Sequence, residues 1–121
     1  MNTMSKFSSF ILLTILTITL LIACSKDNDT GASLDCSTVT NKAFAADINP
    51  IIQSSCASSS GCHGSGSTNG PGALTSYTLV FNARTAIRSA VASGSMPQGS
   101  SLATSQKNSI LCWIDSGAPN N

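Results

Sequence analysis

Residues 56–63 read Cys-Ala-Ser-Ser-Ser-Gly-Cys-His, and the fold turns on how that stretch is read. Two cysteines bound a short loop, and the chain's one histidine, His63, directly follows the second. An upstream Cys followed by Cys-His is the sequence form of covalent haem attachment. Two thiols can add to the two vinyl groups of a haem, and the adjoining imidazole can then serve as proximal ligand to the iron. Five residues, Ala57 to Gly61, separate the cysteines here, where the usual motif holds two. All five are small, so a wider loop can bulge out without steric conflict. Cys56 and Cys62 are thus candidate tethers and His63 a candidate iron ligand.

On the upstream side, Phe44, Ile48, Ile51 and Ile52 recur at helical spacing. Asn49-Pro50 fits an N-cap followed by proline at the first helical position, which predicts a helix over 50–55 that delivers Cys56 at its end. Any earlier helix should stop by Ile48 or Asn49, because proline disfavours the α region in the residue before it. Downstream, Gly64, Gly66, Gly70, Pro71 and Gly72 mark a loop. Leu74 and Tyr77 are its expected anchors into the core.

Residues 76–92 carry Leu79, Val80, Ala83, Ile87 and Val91. Spacings of four predict one amphipathic helix, or two short ones in series. Arg84 and Arg88 lie on a neighbouring face, either as a solvated edge or with one of them paired to a haem carboxylate. A second loop, Ser93 to Gly99, contains Met96-Pro97. Met96 reads either as a gap-filler over the core or as a distal iron ligand opposite His63, with Pro97 stiffening the backbone behind the sulfur. The last helix is expected over 104–116. Thr104 is its N-cap, although Lys107 stands where a capping box wants Glu. Ile110, Leu111, Trp113 and Ile114 give its apolar face, Gly117 fits the C′ position and Pro119 blocks continuation. Trp113 reads as core. The domain is therefore expected to be mostly α, with three to four short helices and long Gly/Ser-rich loops.

The N-terminal residues predict a targeting segment. Lys6 precedes an apolar run from Phe7 to Ala23 that falls short of the ~20 residues of a membrane span and fits a secretory signal. Leu21-Ile22-Ala23-Cys24 resembles the lipobox of bacterial lipoproteins, which implies Cys24 as the acylated N-terminus of the mature chain. Residues 1–23 are then signal peptide, 24–35 a polar linker and 36–121 the domain. Such a protein is expected in the cell envelope, lipid-anchored and facing periplasm or cell surface.

Five cysteines serve this exported chain. With Cys24 assigned to lipid and Cys56 and Cys62 to haem, Cys36 and Cys112 remain and can pair in an oxidising compartment. The alternative uses four cysteines in two disulfides, with Cys56–Cys62 as a tight local bridge, and four cysteines allow three pairings. Beyond the signal segment, Lys26, Lys42, Arg84, Arg88 and Lys107 balance Asp27, Asp29, Asp35, Asp47 and Asp115. No basic patch argues for nucleic acid. The lone histidine adjoins Cys62, and no third orienting group is visible, so hydrolase chemistry finds little support.

Taken together, Asp47-Ile48-Asn49-Pro50-Ile51-Ile52, Cys56…Cys62-His63, Ser95-Met96-Pro97 and Trp113 to Pro119 resemble a small c-type cytochrome domain. The pattern is similar to the haem-binding domains of exported lipoproteins of the Bacteroidetes type. The resemblance implies a cytochrome c-like fold around haem c, thioether bonds at Cys56 and Cys62, and iron ligation by His63 and Met96. It further implies electron transfer with redox partner proteins at the envelope, without substrate turnover. A shell of Ile48, Ile52, Leu79, Val91, Leu102 and Trp113 is the expected wall of the macrocycle. Two other readings remain: a haem-free, disulfide-stapled envelope or interaction module, and a copper or zinc site built from Cys56, Cys62, His63 and Met96.

Overall fold

Phe44 begins a helical segment in the computed structural model, which describes residues 34–121. The predicted signal segment, the lipid anchor at Cys24 and the linker up to residue 33 lie outside the described residues. Among those described there are three α-helices and no strand, so this part of the chain is mostly helical.

Residues Phe44–Ile48 form a wide π-wound turn that runs directly into α1, Asn49–Ser55. The first element stops at Ile48, within the expected limit, but the chain does not leave the helical path there; it changes its winding. Proline lacks an N–H, and its ring would meet the Ala46 carbonyl of a regular α-turn. In the wider turn the Asn49 N–H donates to Phe44 O, and the chain stays helical through the proline. Asn49 is therefore not a cap, and its Oδ1 accepts from Gln53 Nε2 at 3.2 Å. The first amides of the segment are satisfied from elsewhere: Asp47 Oδ2 accepts from Ala43 N at 2.9 Å, and Asn121 accepts from Phe44 N and Ala45 N at 2.8 and 2.7 Å.

A single helix, α2, covers Tyr77–Ser93. Ser76 caps it by accepting from the Leu79 N–H, and Gly94 ends it at φ 73, a conformation only glycine adopts readily. Its buried side chains are Val80, Ile87 and Val91, whereas Leu79 is 41% exposed and leaves the expected stripe. The next helix, α3, covers Thr104–Asp115. Its N-cap is Ala103 rather than Thr104, because Gln106 Oε1 reaches back to accept from the Ala103 N–H at 3.0 Å.

Five successive residues of α3, Ser109 to Trp113, are buried, so this helix is covered on more than one face. It packs against α2 and against the π-wound turn. Trp113 is fully buried, stacks at 5.4 Å on Phe44, and donates from Nε1 to Pro119 O at 2.9 Å. Phe44 in turn meets Tyr77 edge-on at 4.9 Å, and the Tyr77 hydroxyl donates to Ala118 O. This aromatic cluster joins the start, middle and end of the domain. A disulfide between Cys36 and Cys112, with Cα atoms 5.3 Å apart, closes the same region.

Both arginines of α2 have partners within the domain. Arg88 holds Asp115 through two hydrogen bonds of 2.6 and 2.9 Å, and Arg84 donates to Phe81 O while lying 4.0 Å over that ring. The bonds from Arg88 hold the Asp115 carboxyl below the usual carboxylate range. A carboxyl lowered in the folded state stabilises above its unfolded pKa, and that contribution is lost as pH falls through the folded value. Asp115→Asn should therefore lower the melting temperature slightly at neutral pH. The gap to wild type should close below about pH 4 in thermal melts across pH.

Candidate functional site: a two-lobed cavity around His63

The last turn of α1 ends with Cys56 N and Ala57 N both donating to Ile52 O. The spacer then folds back on itself. His63 N donates to Cys56 O at 2.9 Å, and Ser59 O accepts from both Cys62 N at 3.1 Å and Gly64 N at 2.7 Å. The additional residues become a self-closed side loop, and Cys56 lies against the Cys62-His63 pair. Gly64 is required here for space: a Cβ would sit 2.6 Å from the carbonyl carbon and oxygen of Ser59.

The loop that follows returns to the same place. Leu74 N donates to His63 O at 2.8 Å, and His63 Nδ1 donates to Gly72 O at 3.0 Å. A carbonyl only accepts, so Nδ1 carries a proton and the neutral ring keeps its lone pair on Nε2. The residue is 7% exposed, yet no buried side-chain nitrogen or oxygen among the described residues lacks a partner. Among the described residues Nε2 has no partner, and it opens on the space the ring lines. A ring tied through Nδ1 to a backbone carbonyl is how metal-ligating histidines are held in tautomer and orientation.

That space has two lobes. One, of about 600 Å³, is lined by Cys56, Cys62, His63 and Met96 together with serines, Asn69 and Gln98. The other, of about 350 Å³, shares Cys56, His63, Gly70 and Met96 and is otherwise walled by Pro71, Leu74, Ala86, Ile87, Ala90 and Val91. All four candidate haem residues thus line one cavity. Cys56 and Cys62 are both free thiols, Cys56 buried and Cys62 exposed. Burial pushes the Cys56 thiol up, and the neighbouring Cys62 adds like-charge repulsion in the same direction.

The expected wall is largely displaced. Val91 lines the apolar lobe, but Ile48, Ile52 and Trp113 are spent in the core, and Leu79 and Leu102 line neither lobe. Their places are taken by Leu74, Ala86, Ile87 and Ala90. The spacing of Ala86 and Ala90 carried the signal, since small residues four apart beside Ile87 leave a shallow trough on a helix.

The residues present fit a haem. Among the described residues, no three His, Cys, Asp or Glu side chains converge on a point that could hold a metal ion. Two thiols, an imidazole and a thioether instead surround a space of ligand size with an aliphatic wall. Set against protein-family models, curated proteins and solved structures, the chain gives no match.

Proposed function

We propose that this chain is a small monohaem protein with a cytochrome c-like domain, which carries electrons at the cell envelope and turns over no substrate. One observation carries the reading: two unpaired cysteines, a histidine with Nδ1 engaged and Nε2 open, and Met96 all line one cavity. Cys56 and Cys62 would tether haem c, with His63 Nε2 and Met96 Sδ as iron ligands. When bound, this group supplies a one-electron ferrous–ferric couple, and histidine–methionine ligation raises its potential.

The chain's own residues account for the rest. The Gly72 carbonyl fixes the ring of His63 and makes it more basic toward a metal. Leu74, Ile87 and Val91 keep water from one side of the cavity. Cys24 would anchor the domain to lipid, and redox proteins of the envelope would be its partners.

The test is production of the full chain in cells able to install haem covalently. The mature protein should carry the mass of one haem, and the Cys56→Ala/Cys62→Ala double variant should carry none. Met96→Ala should keep the covalent pigment but lose the thioether–ferric charge-transfer band. Wild-type protein with no added mass and a Cys56–Cys62 disulfide would select the stapled, haem-free module instead.

A further inference from the structure

We propose that Gln98, Ser100 and Ser101, in the loop after Met96, receive the carboxylate arms of the bound haem through neutral hydrogen-bond donors, with none of the four described cationic side chains taking part. This rests on the haem reading above and adds to it how the acidic edge of the group is held.

A haem carries two carboxylates that need donors or water. The apolar lobe offers only aliphatic side chains beyond the residues it shares with the other lobe, so any side-chain donors to the carboxylates come from the polar lobe. Cations are the usual partners, but the four described here are engaged elsewhere. Lys42 Nζ donates to Cys36 O at 2.8 Å and Lys107 Nζ to Ala92 O at 2.9 Å. Arg84 is committed to Phe81 and Arg88 to Asp115. None of the four lines either lobe.

The polar lobe's side chains divide by what they already bond. Ser54 donates to Pro50 O, and Asn69 Nδ2 donates to Gly61 O. Among the described residues, Ser55, Ser58, Gln98, Ser100 and Ser101 make no side-chain hydrogen bond within the protein. Ser55 and Ser58 flank Cys56, where the vinyl-derived edge would be tethered. The carboxylate arms of a haem lie on the edge remote from its vinyls. That leaves the loop carrying Gln98, Ser100 and Ser101.

The experiment uses the covalently loaded protein with its haem carboxylates isotope-labelled, read by redox-difference infrared spectroscopy. Gln98→Ala and Ser101→Ala should each shift the labelled carboxylate stretch, and Ser58→Ala should leave it in place. Loaded protein whose band ignores all three variants, or follows only Ser58→Ala, overturns the inference while leaving the haem reading intact. Failure to load any haem overturns the haem reading itself, and this inference with it.

Discussion

Replacing Cys36 and Cys112 together by serine should destabilise the domain by about 4 kcal/mol. The bond spans a sequence separation of 76, so reduction restores a long loop's freedom to the unfolded chain. The native state suffers as well, because Cys112 is fully buried within the covered stretch of α3, beside Trp113. A serine hydroxyl there needs a partner that a half-cystine does not. A chemical-denaturation midpoint well below wild type would bear this out. An unchanged midpoint would mean that the aromatic cluster alone closes the domain. For a domain of this size, a loss of this order is a large share of the total stability.

Gly64→Ala should cost about 2–3 kcal/mol and, on the haem reading proposed above, sharply lower the fraction of chains carrying covalent pigment. Its new Cβ would press on the Ser59 carbonyl at 2.6 Å and on Ala57 O at 3.0 Å. Both neighbours are backbone and neither can rotate away. Relief requires moving the side loop outward, which breaks the bond from Gly64 N to Ser59 O and loosens the one from Cys62 N. Cys56 then no longer lies against Cys62-His63. Gly61→Ala is the matched control. Its Cβ would meet only the Ser59 hydroxyl, at an ordinary 3.7 Å, and the change should stay within about 0.5 kcal/mol. Equal behaviour of the two variants in melting and in pigment mass would remove the side loop from the explanation.

The helices were largely legible from the spacing of apolar residues, and the misreadings have physical causes. In α2, a strict four-residue stripe advances about 40° per step around a helix of 3.6 residues per turn. Following it from Val91 back to Leu79 walks off the buried face, whereas Val80, Ile87 and Val91 stay on it. At Pro50, the rule that a residue before proline avoids the α region is a preference, and Asn49 adopts φ −58, ψ −43 against it. At Ala103, a poor capping residue serves because Gln106 supplies the acceptor from inside the helix.

The candidate site was legible in its donors and not in its walls. Cys56, Cys62, His63 and Met96 stood out because their chemistry is rare in a chain this poor in other functional groups. The apolar shell was drawn from the largest hydrophobic residues. Those are the ones the core claims first: Trp113, Ile48 and Ile52 are fully buried away from both lobes. Small residues such as Ala86 and Ala90 line the opening because they leave room, and a hydrophobicity pattern gives them little weight. The Gly72 carbonyl that holds His63 is invisible to residue type altogether.

The self-closed spacer also bears on how such sites are found. Since His63 N bonds Cys56 O directly, and Ser59 O ties off the excursion, the two ends of the five-residue spacer are held together by backbone bonds. A surface excursion of this kind can grow or shrink over evolutionary time at little thermodynamic cost. A pattern that demands two residues between the cysteines does not match residues 56–63, whatever the backbone between them does.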